Sequence, residues 1–240
     1  MRFPSPLIPA TLIRRYKRFL ADVRLEDGRE LTVHTPNTGA MTGCAEPGSR
    51  IWLRDTGNPA RKYPLAWELS TAPGGALVGV NTHLANRLVR EAIEGGVIPE
   101  LRGYSRIRQE VRYGEEGSRI DLLLQERGRA DCYVEIKSVT LVRGEGEAAF
   151  PDAVSARGSK HLRELAHIVR GGDRAVLLFC VQRADARLVR PAADIDPLYA
   201  RTLAEAWRAG VEILAWRASV SPQAIVLDTR LPVEIGEGCG

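Results

Sequence analysis

Apolar and polar positions alternate with a period of two, in short runs, over the first 80 residues, and turn residues separate the runs. The runs fall at 12–23, at 31–34 after the Glu26-Asp27-Gly28 turn, at 51–53 after Pro47-Gly48, at 63–69 and at 77–80. No helical period interrupts them, so about five short strands and a small β-barrel are expected, with the OB-fold as the candidate. The texture changes after Gly74-Gly75. Asn81-Thr82 caps a predicted helix to Glu94, with Leu84, Leu88, Val89 and Ala92 on one stripe and Gly95-Gly96 as its stop. Strands are predicted at 104–113, 119–124 and 132–140. A helix follows at 159–170, with Leu162, Leu165, Ala166 and Val169 facing inward. The run at 174–181 is apolar on both faces, as in a central strand. A helix at 197–209 and a strand at 211–216 complete the pattern. The reading is two domains: residues 1–80 as an OB-like barrel and residues 81–240 as an α/β domain with a mixed sheet.

The chain has 240 residues, 44% hydrophobic and 27% charged, which excludes a disordered chain, a coiled coil and a fibre. No apolar run reaches the roughly 20 residues of a membrane helix, so no membrane partner is expected. The opening Met-Arg-Phe-Pro-Ser-Pro lacks the apolar core of a signal peptide. Four scattered cysteines (Cys44, Cys132, Cys180, Cys239) form no C-x-x-C pair. A reduced cytoplasmic protein is the expectation, with Cys44 and Cys180 as buried thiols. Trp52, Trp67, Trp207 and Trp216 read as core. The net charge is +4, and residues 1–80 hold 11 basic and 7 acidic side chains, so the whole excess lies there. That asymmetry points to a polyanionic partner, most simply nucleic acid.

The chemistry concentrates at 121–137. On an extended strand Glu135 and Lys137 face the same way while Ile136 faces the core. If the strands carrying Asp121 and Glu135 pair, two carboxylates meet beside one lysine. Two carboxylates and a main-chain carbonyl suit a hard cation, Mg²⁺ or Mn²⁺. Asp-x13-Glu-x-Lys across adjacent strands looks like the PD-(D/E)xK nuclease signature, with Ile120 where that name has Pro. Asp121, Glu135 and Lys137 are therefore the catalytic candidates, with Asp121 and Glu135 as metal ligands. Glu91, on the preceding helix, stands where such nucleases place an additional acid; its alternative is a local pair with Arg87.

Denser stretches go further: residues 12–23, with Arg14, Arg15, Lys17 and Arg18; His34-Thr35-Pro36-Asn37-Thr38-Gly39-Ala40-Met41; Asn58-Pro59-Ala60-Arg61-Lys62-Tyr63-Pro64; Phe150-Pro151-Asp152; Arg157-Gly158-Ser159-Lys160-His161-Leu162; and Glu135-Ile136-Lys137-Ser138-Val139-Thr140. Together they resemble the sugar fermentation stimulation protein A (SfsA) family, from Leu12 to at least Val233. The resemblance implies an N-terminal OB-like barrel, a C-terminal PD-(D/E)xK domain, DNA binding and a described role in regulating sugar (maltose) metabolism. Ala40 and Ser138 stand where other members often have Ser and Asn. The residues agree with that picture. Arg14, Arg15, Lys17 and Arg18, read as one strand with Tyr16 and Phe19, place cations beside aromatics, as a groove that tracks phosphates and stacks bases requires. Arg61 and Lys62 offer a second basic loop, and Asn37-Thr38-Gly39 a turn or an amide site for phosphate. Lys160, expected at a helix start, suits an anion; His161 carries little claim as a general base. The expected function is a Mg-dependent nuclease, or else a non-catalytic DNA-binding regulator on the same fold. Oligomeric state is left open, a homodimer among the options.

Overall fold

Strand alternation in the first third produces β1 (Ile8–Tyr16), β2 (Leu20–Leu25), β3 (Glu30–His34), β4 (Arg50–Asp55), β5 (Leu65–Thr71) and β6 (Leu77–Gly79) in a computed structural model that describes residues 1–58, 60–114 and 117–236. Pro59 and Cys239 lie outside the described residues. The strands pair in the order β3-β2-β1-β4-β5-β6, and a β3–β5 contact at His34 and Ala66 closes the first five into a barrel. Inward positions such as Leu12, Val23, Val33, Ile51, Leu53 and Trp67 fill its core. Trp67 is fully buried and its indole N–H donates to the Leu69 carbonyl at 2.9 Å. Trp67→Ala is expected to cost about 3–5 kcal/mol of stability, read as a fall in the urea midpoint.

The predicted run 12–23 is two strands. Lys17 and Arg18 adopt left-handed backbone (φ 48° and 63°) and turn β1 into β2, so Lys17, Arg18 and Phe19 do not lie on one strand with Arg14 and Arg15.

The rest of the chain forms α1 (Leu84–Glu94), β7 (Arg106–Tyr113), β8 (Ser118–Gln125), β9 (Cys132–Val139), β10 (Leu141–Val142), β11 (Glu147–Phe150), α2 (Ala156–Arg170), β12 (Arg174–Val181), β13 (Leu188–Pro191), α3 (Pro197–Arg208), β14 (Glu212–Val220) and β15 (Ile225–Leu231). The main sheet runs β15-β14-β12-β9-β8-β7, parallel around the central β12 and antiparallel at both edges. Its β12 is buried on both faces, which explains the unbroken apolar run. α1 covers one face through Leu88, Val89 and Ala92; α2 and α3 cover the other through Leu162, Leu165, Tyr199 and Leu203. Trp207, expected in the core, is 53% exposed on α3.

The two domains are joined closely. Gly79 N–H donates to the Gln182 carbonyl at 2.8 Å, and a Cβ at Gly79 would lie 2.7 Å from the Gln182 side-chain oxygen, which would have to shift to admit one. The chain's first residues sit on the second domain: Phe3 N–H donates to the Gln223 carbonyl, and Leu7 joins the core under α1. Asn81, which donates to the buried Glu68 and accepts from the His83 N–H, ties the barrel to the start of α1, and Arg54 also donates to Glu68.

Candidate active site

The antiparallel β8–β9 ladder runs through Leu124↔Cys132, Leu123↔Tyr133 and Leu122↔Val134. Asp121 and Glu135 are next in that register, and there the ladder opens. The Asp121 side chain takes over from the backbone: its Oδ2 accepts from the Ile136 N–H at 2.7 Å, and its Oδ1 accepts from Asn86 of α1 at 2.8 Å. The pairing on the other side of β8 is interrupted at the same level. Glu110, opposite Asp121 on β7, has φ 53° and drops out of the otherwise unbroken β7–β8 register. Across this point the strands change faces. Ile107 and Leu122 pack under α1, whereas Val111 and Ile120 pack under α2. Such a left-handed non-glycine residue is a form of strain found at functional sites.

Glu135 is 3% exposed. Its Oε1 accepts from Lys137 Nζ at 2.7 Å and meets His161 Nδ1, while its buried Oε2 has no hydrogen-bond partner. Arg157 Nε donates to His161 Nε2 at 3.3 Å. Because a guanidinium keeps its proton, His161 Nε2 is the acceptor, so Nδ1 carries the hydrogen and donates it to Glu135. Two cation or N–H donors thus converge on one Glu135 oxygen and leave the other open. The two carboxylates are tuned apart. Burial, then the Glu135 charge, pushes the Asp121 carboxyl up to about 6, against the Ile136 N–H, Asn86 and Lys137. Burial acts the same way on Glu135, but the His161 and Lys137 contacts outweigh it and hold that carboxyl below its usual range. The hydroxyls of Tyr113 and Tyr199 are buried with no hydrogen-bond partner, and burial with the Glu135 charge pushes both phenols up.

A buried unpartnered carboxylate oxygen beside a second carboxylate fits a hard divalent cation. Among the described residues no group of three or more His, Cys, Asp or Glu side chains is placed to hold a metal ion. Glu91 does not join Asp121 and Glu135. Its carboxylate pairs with the Met1 ammonium at 2.8 Å and with Arg87 at 2.9 Å; that ammonium also donates to Ile225, placing Glu91 on the β15 side of α1.

A cleft of about 250 Å³ opens beside Lys137, with Asn37, Thr38 and Gly39 of the barrel on one wall and Ser138, Thr140 and Phe150 on the other. The loop 37–41 is held from both sides. Arg15 donates to the carbonyls of Asn37 and Gly39 at 2.9 Å and of Arg18 at 2.6 Å, and burial lowers its pKa. The guanidinium expected to meet phosphate thus braces the cleft wall. The buried Asn37 side chain accepts from Gly39 N–H at 2.8 Å, and the amides of Ala40 and Met41 donate to Asp152 of the other domain, so a carboxylate fills this amide site. Arg14 pairs with Asp22 at 2.8 Å. Lys17, Arg18 and Phe19, 47% exposed, form the β1–β2 turn; Arg61 and Lys62 lie on the β4–β5 loop, Lys62 over the Tyr63 ring. Burial and then the charges of Arg61 and His83 push the pKa of His34 down. α2 begins at Ala156, capped by the Ser155 hydroxyl, so Lys160 sits in its second turn and not at its amide end.

The "SfsA N-terminal OB domain" model matches residues 13–80, and the "Sugar fermentation stimulation protein RE domain" model matches residues 83–224. The chain belongs to the SfsA family. It is 59% identical over 235 residues to a sugar fermentation stimulation protein homolog of Thioalkalivibrio sulfidiphilus, covering 98% of both chains. It is 61% identical over 234 residues to one of Pelobacter propionicus, covering 97% of this chain and 99% of that one. The structure of Pyrococcus furiosus SfsA in complex with Ca²⁺ superposes with a TM-score of 0.86 at 32% identity, over 98% of each chain. An OB barrel followed by a nuclease-like mixed-sheet domain is therefore the SfsA fold of this chain. No described helix is long and apolar enough to cross a membrane.

Sequence reasoning passed over Asn86 and gave His161 little weight in this SfsA-family site. His161 and Arg157 are one helical turn apart, a spacing that brings side chains together. Asn86 carried no such signal, since only the packing of α1 on the sheet brings it to Asp121.

Proposed function

We propose that this chain binds nucleic acid, DNA foremost, across the cleft between its domains and hydrolyses phosphodiester bonds with a divalent cation, Mg²⁺ or Mn²⁺. The observation that carries this reading is the open end of the β8–β9 ladder, where Asp121 and an unpartnered Glu135 oxygen lie beside Lys137 and the cleft. Asp121, Glu135 and the Ile136 carbonyl would hold the cation, and the Ca²⁺ complex of the Pyrococcus furiosus relative supports a divalent ion here. When bound, such an ion makes a ligated water acidic and offsets phosphate charge. Lys137, held on Glu135, orients the attacking water and faces the crowded phosphate oxygens. His161 keeps Glu135 turned so that its free oxygen faces away from the lysine. Arg157 holds His161 in the tautomer that does so. On the barrel, the turn with Lys17, Arg18 and Phe19 and the loop with Arg61 and Lys62 are the two loops through which OB-folds hold oligonucleotides. Arg15 couples the first of them to the cleft wall.

The test is labelled single-stranded, double-stranded and branched DNA, and RNA, incubated with the protein in Mg²⁺, Mn²⁺ or EDTA. Cleavage in metal and none in EDTA is the expected result. Salt-sensitive binding with no cleavage in any metal replaces this reading with a non-catalytic DNA-binding regulator of sugar-metabolism genes. Neither binding nor cleavage overturns both.

A further inference from the structure

Five arginines of the first 80 residues, Arg14, Arg24, Arg29, Arg50 and Arg54, each pair with a carboxylate of the barrel. The opposite holds on the far side of the second domain, where sequence counts balance. β7 is the outermost strand of its sheet, paired only with β8. It carries Arg106, Arg108 and Arg112, and Arg119 on β8 stands directly across from Arg112. All four are exposed. Among the described residues none of them makes a side-chain hydrogen bond or ion pair. Two of them, Arg106 and Arg108, lie about 7 Å apart on one side of the strand. The strand starts beside a second cleft, of about 670 Å³, lined by Arg90, Arg102, Tyr104 and Arg106, where Arg129 stacks on Tyr104 at 4.1 Å.

The left-handed Glu110 gives this stripe its course. Ile107 faces α1, so Arg106 and Arg108 lie on the other face; beyond Glu110, Val111 and Tyr113 face α2, which puts Arg112 and its neighbour Arg119 on the α1 face. A polyanion that follows the four guanidiniums therefore crosses the sheet edge at Glu110, the residue opposite Asp121. We infer that the β7 edge is a second phosphate-binding surface, on which a nucleic acid seated in the domain cleft continues past Asp121. The inference rests on the nucleic-acid reading above and extends it: the bound strand is longer than the barrel alone spans. Charged side chains also guard an edge strand from pairing with another copy, and the experiment separates the two roles.

The variants are Arg106→Gln with Arg108→Gln, and Arg112→Gln with Arg119→Gln, each checked by its thermal melt and by light scattering. Fluorescence anisotropy measures binding, in EDTA and over a range of NaCl, to an oligonucleotide of about 8 nucleotides, within the site size of one OB fold, and to one several times longer. For the long strand, each double variant is expected to weaken binding about tenfold or more. It should also flatten the plot of log affinity against log salt by about 1.5, since each lost phosphate contact removes roughly 0.7–0.9 from the slope. The short strand should bind as before. Folded variants that bind both strands with wild-type affinity and slope overturn the inference and leave the nucleic-acid reading intact, and self-association with unchanged affinity does the same by showing an edge guard only. A wild-type chain that binds neither strand overturns both.

Discussion

Lys137→Ala is expected to slow metal-dependent cleavage about 10²–10³-fold while leaving DNA affinity within about twofold, because a preorganised charge aimed at the reacting phosphate is typically worth that much in rate and little in ground-state binding. The separation follows from where the ammonium is. Its side chain is 12% exposed and held on Glu135 at 2.7 Å at the edge of the cleft, apart from the exposed cations of the barrel turns. On the proposed reading those turns and the β7 edge carry the salt-dependent part of binding, and Lys137 adds one charge among many. Lys137→Met, which keeps the apolar stem, controls for packing. Single-turnover cleavage with protein in excess isolates the chemical step, and anisotropy in EDTA reports binding. Equal loss of cleavage and affinity would remove Lys137 from the catalytic role and make it a contact for the backbone.

The placement of Asp121, Glu135 and Lys137 was legible because strand geometry dictates it. Glu-x-Lys faces one side of any strand, and thirteen intervening residues are enough for one antiparallel pair. The barrel was legible from its period of two and its turn residues. What was hidden depends on long-range packing or on one residue's backbone. Nothing local announces that Glu110 takes φ 53°, yet that residue makes the strands change faces at the site. Arg15 reads as one more surface cation, and only the folded barrel shows its guanidinium buried against loop carbonyls. Glu91 sits at a plausible position along α1 but is drawn to the chain's own N-terminus, 90 residues away in sequence. Net charge by segment is coarse for a related reason: it does not say which cations are paired, and five of the barrel's arginines have carboxylate partners where, among the described residues, Arg106, Arg108 and Arg112 of β7 do not.

Asp121→Asn should abolish cleavage and at the same time make the protein more stable at pH 8. Burial and then the Glu135 charge raise the Asp121 carboxyl from the ordinary 3.8 to about 6. A group whose folded value lies above its unfolded one stabilises the fold fully at pH below about 4. That contribution is lost as pH rises through 6. At pH 8 the fold therefore bears an ionised, mostly buried carboxylate, at a cost bounded by roughly 3 kcal/mol. Asparagine removes the charge and keeps an acceptor for the Ile136 N–H, with the Asn86 amide turned over to match. A gain of about 1–2 kcal/mol, or roughly 2–8 °C in Tm, is expected at pH 8 and should vanish toward pH 4. Glu135→Gln should do the reverse. That carboxyl is held below 4.5 by His161 and Lys137, so its contribution is present above that pH and lost as pH falls. Removing its charge strands the Lys137 ammonium, and breaking such a buried pair costs about 3–5 kcal/mol. Calorimetric melts of the three proteins from pH 4 to 8.5 in EDTA read both signs without metal. If Asp121→Asn proves as destabilised at pH 8 as Glu135→Gln, Asp121 is a structural hydrogen-bond acceptor, and the opposed tuning of the two carboxylates is not part of this site. With the opposite signs observed, the site sacrifices stability at one carboxylate to keep it available, and secures the other with a lysine and a histidine.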